Sequence, residues 1–142
     1  MTLDDILENF EFLDDWEDKY KYVIELGRDM PELDDQERVD ANKVQGCVSQ
    51  VWLVRTLENT GGADGPVVHY RGDSDAHIVR GLVALVIATF SGHNARTILK
   101  TDIDAIFEKI GLREHLTPQR SNGLTAMINR IKTEAADALE RA

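Results

Sequence analysis

The chain has 142 residues, of which 42% are hydrophobic and 30% charged, with a formal net charge of −10. A chain of this size and composition buries enough surface to fold without a disulfide or metal, so we expect a single domain over residues 1–142. The sequence contains no basic cluster of the kind that binds nucleic-acid phosphates. Its longest largely apolar run, residues 81–90, is too short to cross a bilayer. The acidic N-terminus does not resemble a secretory leader, so we expect a cytoplasmic protein.

The first forty residues predict two helices and carry 15 acidic against 4 basic side chains. Thr2 and Asp5 form a capping-box pattern ahead of an apolar face. Asp14 is a candidate start for a second helix, which Pro31 ends at or just after Arg28. The negative charge of this segment suits a solvated surface or docking against a basic protein.

The middle of the chain predicts a small sheet. Residues 34–39 predict one further helical turn, after which residues 51–57 alternate in the manner of a strand. The turn-rich residues 60–66 connect that strand to a returning strand at 67–71. Residues 43–44 predict a short strand ahead of both, which would be the third strand of the sheet.

The remainder predicts helices. Ser74 is a candidate cap for a helix that is apolar nearly all round and therefore buried. Thr101 and Asp104 form a capping-box pattern for a helix that Gly111 ends. Residues 117–118, Thr-Pro, are typical of the start of a last long helix. The order of elements predicts an α+β domain, with a small three-stranded antiparallel sheet packed against helices.

Cys47 is the one cysteine in the sequence. It excludes an intramolecular disulfide, a multi-cysteine zinc site, and an iron–sulfur cluster held by this chain alone. Residues 45–48 predict a tight connection in which Gly46 adopts the positive φ of a turn, presenting the thiol at a loop tip. A lone cysteine is more often buried and inert than reactive, so both interpretations stay open at this point. The four histidines lack metal-ligand spacing, and we expect no metal site.

Three segments of the chain resemble the SufE family of cysteine-desulfuration proteins. They are residues 44–53 (VQGCVSQVWL), 72–82 (GDSDAHIVRGL) and 115–124 (HLTPQRSNGL). They occur in the family's order, and Gln119 stands where many relatives carry serine. The resemblance implies a SufE/IscU-like fold and a sulfur acceptor of the SufE or CsdE kind.

The resemblance also implies partners and a site. Family members take sulfane sulfur from the persulfide of a pyridoxal-phosphate-dependent cysteine desulfurase (SufS or CsdA type) and stimulate that enzyme. They hold the sulfur as a cysteine persulfide and deliver it to an iron–sulfur scaffold complex of the SufBCD type. The family's acceptor matches Cys47. Its loop neighbours Gln45 and Gly46 are candidates for partner binding or for support of the loop. The chain itself is expected to need no cofactor, to catalyse nothing alone, and to be a monomer or homodimer.

A cysteine accepts sulfur as a thiolate, yet only a few per cent of an ordinary thiol, with a pKa of about 8.5, is ionised at pH 7. The acidic N-terminal segment would disfavour the thiolate further if it lies nearby. We therefore expect Cys47 to react slowly in the free protein and faster in a complex. We also expect Val48, Trp52 and the buried helix to shelter the persulfide from solvent thiols.

Three charged residues of the resembling segments are candidate supports for the site. Arg120 could contact the cysteine loop or a partner carboxylate, or form an ordinary surface ion pair. Asp73 and Asp75 flank a predicted helix start, where acids are favoured by the helix dipole. We expect plain capping from these two more than contact with a partner.

Two other functions remain open from the sequence. The chain could regulate the desulfurase as a non-chemical adaptor in which Cys47 is merely buried. It could instead be a thiol oxidoreductase that uses a sulfenic acid, although it lacks a resolving cysteine of its own.

Overall fold

The computed structural model describes residues 2–141. Within them, six α-helices and one three-stranded antiparallel sheet form an α+β fold, which confirms the predicted class. The helices are α1 (Leu3–Glu11), α2 (Trp16–Asp29), α3 (His77–Phe90), α4 (Ala95–Lys100), α5 (Ile103–Ile110) and α6 (Pro118–Arg141), and the strands are β1 (Val51–Glu58), β2 (Val67–Ser74) and β3 (His93–Asn94). Short 3-10 helices occur at Asp40–Asn42 and Arg113–His115.

The two N-terminal helices begin with side-chain caps. The Thr2 hydroxyl accepts a hydrogen bond from the Asp5 backbone amide at 3.2 Å, and the Asp5 carboxylate accepts one from the Thr2 amide at 3.1 Å. This is the predicted capping box. The prediction for α2 was wrong by one residue, because Asp15 and not Asp14 is its cap. The predicted turn at residues 34–39 is a single turn followed by the 3-10 helix.

The sheet has the strand order β1-β2-β3, and its third strand differs from the predicted one. β1 pairs with β2 from Val51↔Ser74 to Glu58↔Val67. β3 then pairs with the other edge of β2. Residues 43–44 form only one bridge, Lys43↔Trp52, and not a strand. The chain turns away immediately after them, so pairing with β1 stops.

Helix α3 is the buried centre of the fold, as predicted. Nine of its residues are buried, and it packs against α2 on one side and β2 on the other. Its crossing with α2 requires glycine, because a Cβ at Gly81 would lie 2.1 Å from the Val23 carbonyl oxygen. The predicted cap at Ser74 was wrong: the N-cap is Ala76, without a side-chain cap. Ser74 is instead the last residue of β2, since its pairing with Val51 extends the strand.

The C-terminal helices follow the predictions with one shift. Asp102, not Thr101, caps α5 and accepts from the Ala105 amide at 3.2 Å. Thr101 instead donates to the Thr97 carbonyl at the end of α4, a helix that the sequence analysis did not predict. Gly111 ends α5 with φ +66°, as predicted. None of the helices within residues 2–141 is long and apolar enough to span a membrane.

Candidate functional site

The cysteine loop comprises residues 45–50 and lies between Val44 and Val51, two residues that a hydrogen bond joins. The Val44 amide donates to the Val51 carbonyl oxygen at 2.8 Å, which closes the base of the loop. Gly46 has φ +93°, the left-handed conformation that the sequence predicted there. This turn directs the chain toward helix α6, so Cys47 lies against a helix whose residues come more than seventy positions later.

Cys47 is half-buried, and its thiol contacts the backbone of α6. The Sγ–H donates to the Gly123 carbonyl oxygen at an Sγ–O distance of 3.5 Å. Gly123 is buried inside the helix, and a Cβ built there would lie 3.5 Å from the Cys47 sulfur. The missing side chain therefore lets the thiol approach the helix backbone closely.

The thiol faces a cavity of about 300 Å³ between the cysteine loop, α3 and the start of α6. Val79 and Leu82 of α3 line it, as expected of the buried helix. Val48 also lines it but is 77% exposed, so it shelters the thiol only at the rim. Trp52 is buried in β1 and is not part of the lining. The full lining is Cys47, Val48, Ser49, Val79, Leu82, Thr117, Gln119, Arg120, Gly123 and Met127.

Burial raises the pKa of the Cys47 thiol above its ordinary value. The cause is desolvation, which disfavours the charged thiolate. Slow reaction of the free thiol stays a prediction; the cause that the structure gives for a raised pKa is burial and not the acidic N-terminal segment. In this conformation burial favours the protonated thiol over the thiolate.

Arg120 lies in the first turn of α6 and lines the cavity with a half-buried side chain. Its backbone amide donates to the Thr117 hydroxyl at 3.2 Å, the helix cap that the sequence predicted. Within residues 2–141 its guanidinium forms neither a hydrogen bond nor an ion pair. The surface ion pair considered from the sequence is thus absent from the described chain, as is a hydrogen bond to the cysteine loop. Among the described residues, Arg120 is therefore an unpaired cation at the cavity.

Asp73 serves the core and not the cysteine loop. It is 3% exposed, and its carboxylate pairs with Arg80 at 3.0 Å and with Arg38 at 3.4 Å. It also accepts from the Leu33 amide at 3.2 Å. The expected capping role was wrong for Asp73, because the residue belongs to β2 and its carboxylate ties the segment after α2 to α3.

Asp75 holds the C-terminal end of the cysteine loop. Its exposed carboxylate accepts from the Gln50 amide at 3.0 Å, and its own amide donates to the Gln50 carbonyl oxygen at 3.3 Å. The Ser74 hydroxyl donates to the same carbonyl at 2.7 Å. Capping was therefore the wrong role for Asp75 too; the residue clamps Gln50, three positions after Cys47.

The remaining predicted site residues differ in their contacts. Gln45 and Gly46 are exposed in the loop, and within the described chain the Gln45 side chain forms no hydrogen bond. Two residues of α6 that the sequence analysis missed lie at the site or beside it. Gly123 backs the thiol, and a glycine within a long helix is a signal that could have indicated it. Arg130 donates to backbone carbonyls just ahead of the loop, for which the sequence holds no signal.

Acidic, histidine and cysteine side chains do not converge into a metal-binding group anywhere in residues 2–141. His115 instead stacks on Trp16, with ring centroids 4.2 Å apart. This stack joins the start of α2 to the segment that leads into α6.

Sequence comparisons with known proteins indicate one family, and a structural comparison indicates the same fold as a solved protein. Residues 4–135 match the family described as "SufE: Fe-S metabolism associated domain". An uncharacterized SufE-like protein of Rhizobium meliloti (strain 1021) is 56% identical over 138 residues, 97% of each chain. Another from Rhizobium etli is 56% identical over 134 residues, 94% of this chain and 89% of the relative. A solution structure of a hypothetical protein from Thermus thermophilus shares the fold, with a TM-score of 0.72 at 22% identity over 99% of both chains.

Proposed function

Because the chain belongs to the SufE family, whose role is sulfur transfer with a cysteine desulfurase, we propose that it is a sulfur acceptor and carrier that works through Cys47. It takes persulfide sulfur from a pyridoxal-phosphate-dependent desulfurase of the SufS or CsdA type and thereby stimulates it. It then delivers the sulfur to an iron–sulfur scaffold complex of the SufBCD type. The observation that carries the proposal is the placement of the one cysteine at a cavity with room beyond its sulfur.

The proposed reaction is an exchange that needs no oxidant. The Cys47 thiolate attacks the outer sulfur of the desulfurase persulfide, a new sulfur–sulfur bond forms, and the desulfurase cysteine leaves as a thiolate. The products are a Cys47 persulfide and a regenerated donor cysteine. This chain contributes the Cys47 thiolate to the exchange and no resident cofactor. By itself it catalyses no turnover.

The cavity suits storage of the product. Its volume of about 300 Å³ exceeds what one added sulfur atom needs, since a water molecule in the liquid takes about 30 Å³. Apolar side chains of α3 form its inner wall. A persulfide directed inward is removed from the solvent thiols that would reduce it.

In the resting conformation the Cys47 thiol is protected, so binding of the desulfurase must activate it. The pKa of the Cys47 thiol is raised by burial, and the loop carrying it is held at Val44 and at Gln50. The segment between these points carries Cys47 outward when the desulfurase binds. Contact with solvent or with a cation then restores the thiolate.

Arg120 is the cation available for that step. Its guanidinium has no acidic partner within residues 2–141 and lies at the cavity. A planar guanidinium pairs well with a carboxylate of a docking protein and stabilises a nearby thiolate. We assign it to the transfer step with the desulfurase.

A non-chemical adaptor is the second candidate, favoured by the half-buried Cys47 thiol and its raised pKa. Intact-mass measurement after mixing the protein with desulfurase and cysteine separates the two. The carrier gains one sulfur atom that reduction removes and that Cys47→Ser does not acquire. Stimulation that survives Cys47→Ser supports the adaptor, and a mass change only with peroxide supports an oxidoreductase.

A further inference from the structure

Helix α6 fastens the segment that leads into the cysteine loop through one side chain, Arg130. Its Nη1 donates to the Lys43 carbonyl oxygen at 2.6 Å, and its Nη2 donates to the Ala41 carbonyl oxygen at 2.9 Å. The two acceptors lie 87 and 89 residues earlier in the chain. Arg130 thus links the last helix to the segment ahead of the loop. We call this pair of hydrogen bonds the Arg130 tie.

The tie holds one peptide group from both sides. The carbonyl of Lys43 and the amide of Val44 belong to the same planar peptide unit. Arg130 binds the oxygen of that unit at 2.6 Å, and the Val51 carbonyl accepts from its N–H at 2.8 Å. Rotation of the unit breaks both bonds, and each bond polarises the peptide in favour of the other. The backbone of the loop can therefore rotate only after Val44, starting at Gln45 and Gly46.

The Arg130 side chain is itself held in place by the sheet. Its Nε lies 3.7 Å from Oε1 of Glu134, one turn further along α6. The same Oε1 accepts from the hydroxyl of Tyr70 at 3.0 Å. Tyr70 is 4% exposed on β2, and its phenol pKa is raised by burial and by the Glu134 charge, so it remains a donor. Tyr70, Glu134 and Arg130 form a chain of contacts from the core to the loop.

We propose that Arg130 is a positioning residue for Cys47, held by Glu134 and Tyr70, and that it confines the opening of the loop to residues 45–49. The proposal rests on the proposed function for its consequence in sulfur transfer. With the tie, the thiol swings on a short segment and returns to the Gly123 carbonyl. Without the tie, the point at which the backbone rotates shifts toward the 3-10 helix Asp40–Asn42, and the thiol leaves the cavity more often.

The test uses Arg130→Gln, Arg130→Lys and a matched control, Arg96→Gln, which removes an exposed arginine paired with Asp64. In the isolated protein we expect Arg130→Gln to speed hydrogen exchange at the Val44 amide about tenfold, the size expected for losing a hydrogen bond to a charged group. Alkylation of Cys47 by iodoacetamide rises severalfold. Arg130→Lys restores part of both effects, and Arg96→Gln changes neither.

With desulfurase present, Arg130→Gln raises the protein concentration that gives half-maximal stimulation and leaves the maximal stimulation nearly unchanged. A general loss of stability would lower both the thermal midpoint and the maximum instead. Unchanged Val44 exchange and unchanged Cys47 alkylation in folded Arg130→Gln overturn the proposal. These two measurements need no desulfurase, so they are independent of whether wild-type Cys47 gains sulfur.

Glu134→Gln provides a second variant with Arg130 intact. The double variant with Arg130→Gln gives a mutant cycle on the alkylation rate. If the alkylation rate of the double variant rises by the product of the two single-variant factors, Glu134 acts independently of Arg130 and is excluded from the chain of contacts. If the double variant is alkylated no faster than Arg130→Gln alone, Glu134 belongs to that chain.

Discussion

The Cys47 sulfur lies 3.5 Å from the carbonyl oxygen of Gly123, a residue 76 positions later in the chain. This contact places the thiol against the backbone of a helix and not against a side chain. Its consequence is that the size of residue 123 sets how far the sulfur, and any sulfur added to it, can enter the cavity.

Substitution at Gly123 is therefore expected to change sulfur acceptance before it changes the fold. In Gly123→Ala the new methyl group meets Sγ at an ordinary contact distance of 3.5 Å, and alanine favours a helix over glycine by ~0.5–1 kcal/mol. Gly123→Val overfills the site and expels the thiol, so alkylation of Cys47 accelerates while persulfide is lost faster to added thiols.

Asn129→Val is the matched control for Gly123→Val, because it adds the same branched side chain to an exposed position of α6. Alkylation and persulfide lifetime measured by intact mass check both variants. A Gly123→Val protein that stores sulfur as long as the wild type would show that the thiol does not use this space.

The raised pKa of Cys47 predicts a specific pH dependence. A group whose pKa is higher in the folded than in the unfolded state stabilises the fold below the unfolded pKa, and this stabilisation is lost as the pH rises through the folded pKa. We therefore expect the free energy of unfolding to fall as the pH rises above the ordinary thiol pKa, and to fall less in Cys47→Ser. Urea unfolding at pH 7, 8, 9 and 10 compares the two proteins, and parallel curves contradict the prediction.

Removal of the Arg120 charge is expected to impair transfer without unfolding the protein. Since the guanidinium has no ionic or hydrogen-bonded partner in residues 2–141, Arg120→Gln should change the free energy of unfolding by no more than about 0.5 kcal/mol. The rate of sulfur transfer from desulfurase should fall clearly, with partial recovery in Arg120→Lys. Gln119→Ala is the control, because Gln119 lines the same cavity without a charge. Equal transfer by all four proteins would remove Arg120 from the mechanism.

Substitution to asparagine should destabilise the protein at Asp73 and leave its stability nearly unchanged at Asp75. Asp73→Asn leaves Arg80 and Arg38 without the buried carboxylate that pairs them, so we expect a loss of about 3 kcal/mol in the free energy of unfolding. Asp75→Asn alters an exposed position and retains an acceptor for the Gln50 amide, so its stability should stay within about 0.5 kcal/mol of the wild type. Chemical denaturation of both variants measures the contrast.

Asp75→Ala, unlike Asp75→Asn, removes the acceptor at the end of the cysteine loop. We expect faster alkylation of Cys47 in Asp75→Ala than in Asp75→Asn, since the Gln50 amide then loses its side-chain bond. If the two variants react at the same rate, the Gln50 clamp does not restrain the thiol.

Features that depend on neighbouring residues were readable from the sequence. The capping box of Thr2 and Asp5, the left-handed turn at Gly46 and the cap at Thr117 all appear as predicted. Each one results from a side chain or a φ angle acting within a few residues. The α+β class, too, follows from the order of such local signals. The sequence also shows directly that Cys47 is the one thiol.

Features that join distant segments were decided by the tertiary structure. β3 became the third strand because packing of α3 on the sheet brings residue 93 beside β2, whereas the local pattern favoured residues 43–44. The local sequence places Asp73 close to a helix start, yet its partners are Arg38 and Arg80. The carbonyls that Arg130 binds lie more than 80 residues away. Such contacts depend on which surfaces pack together, and no short stretch of residues encodes that choice.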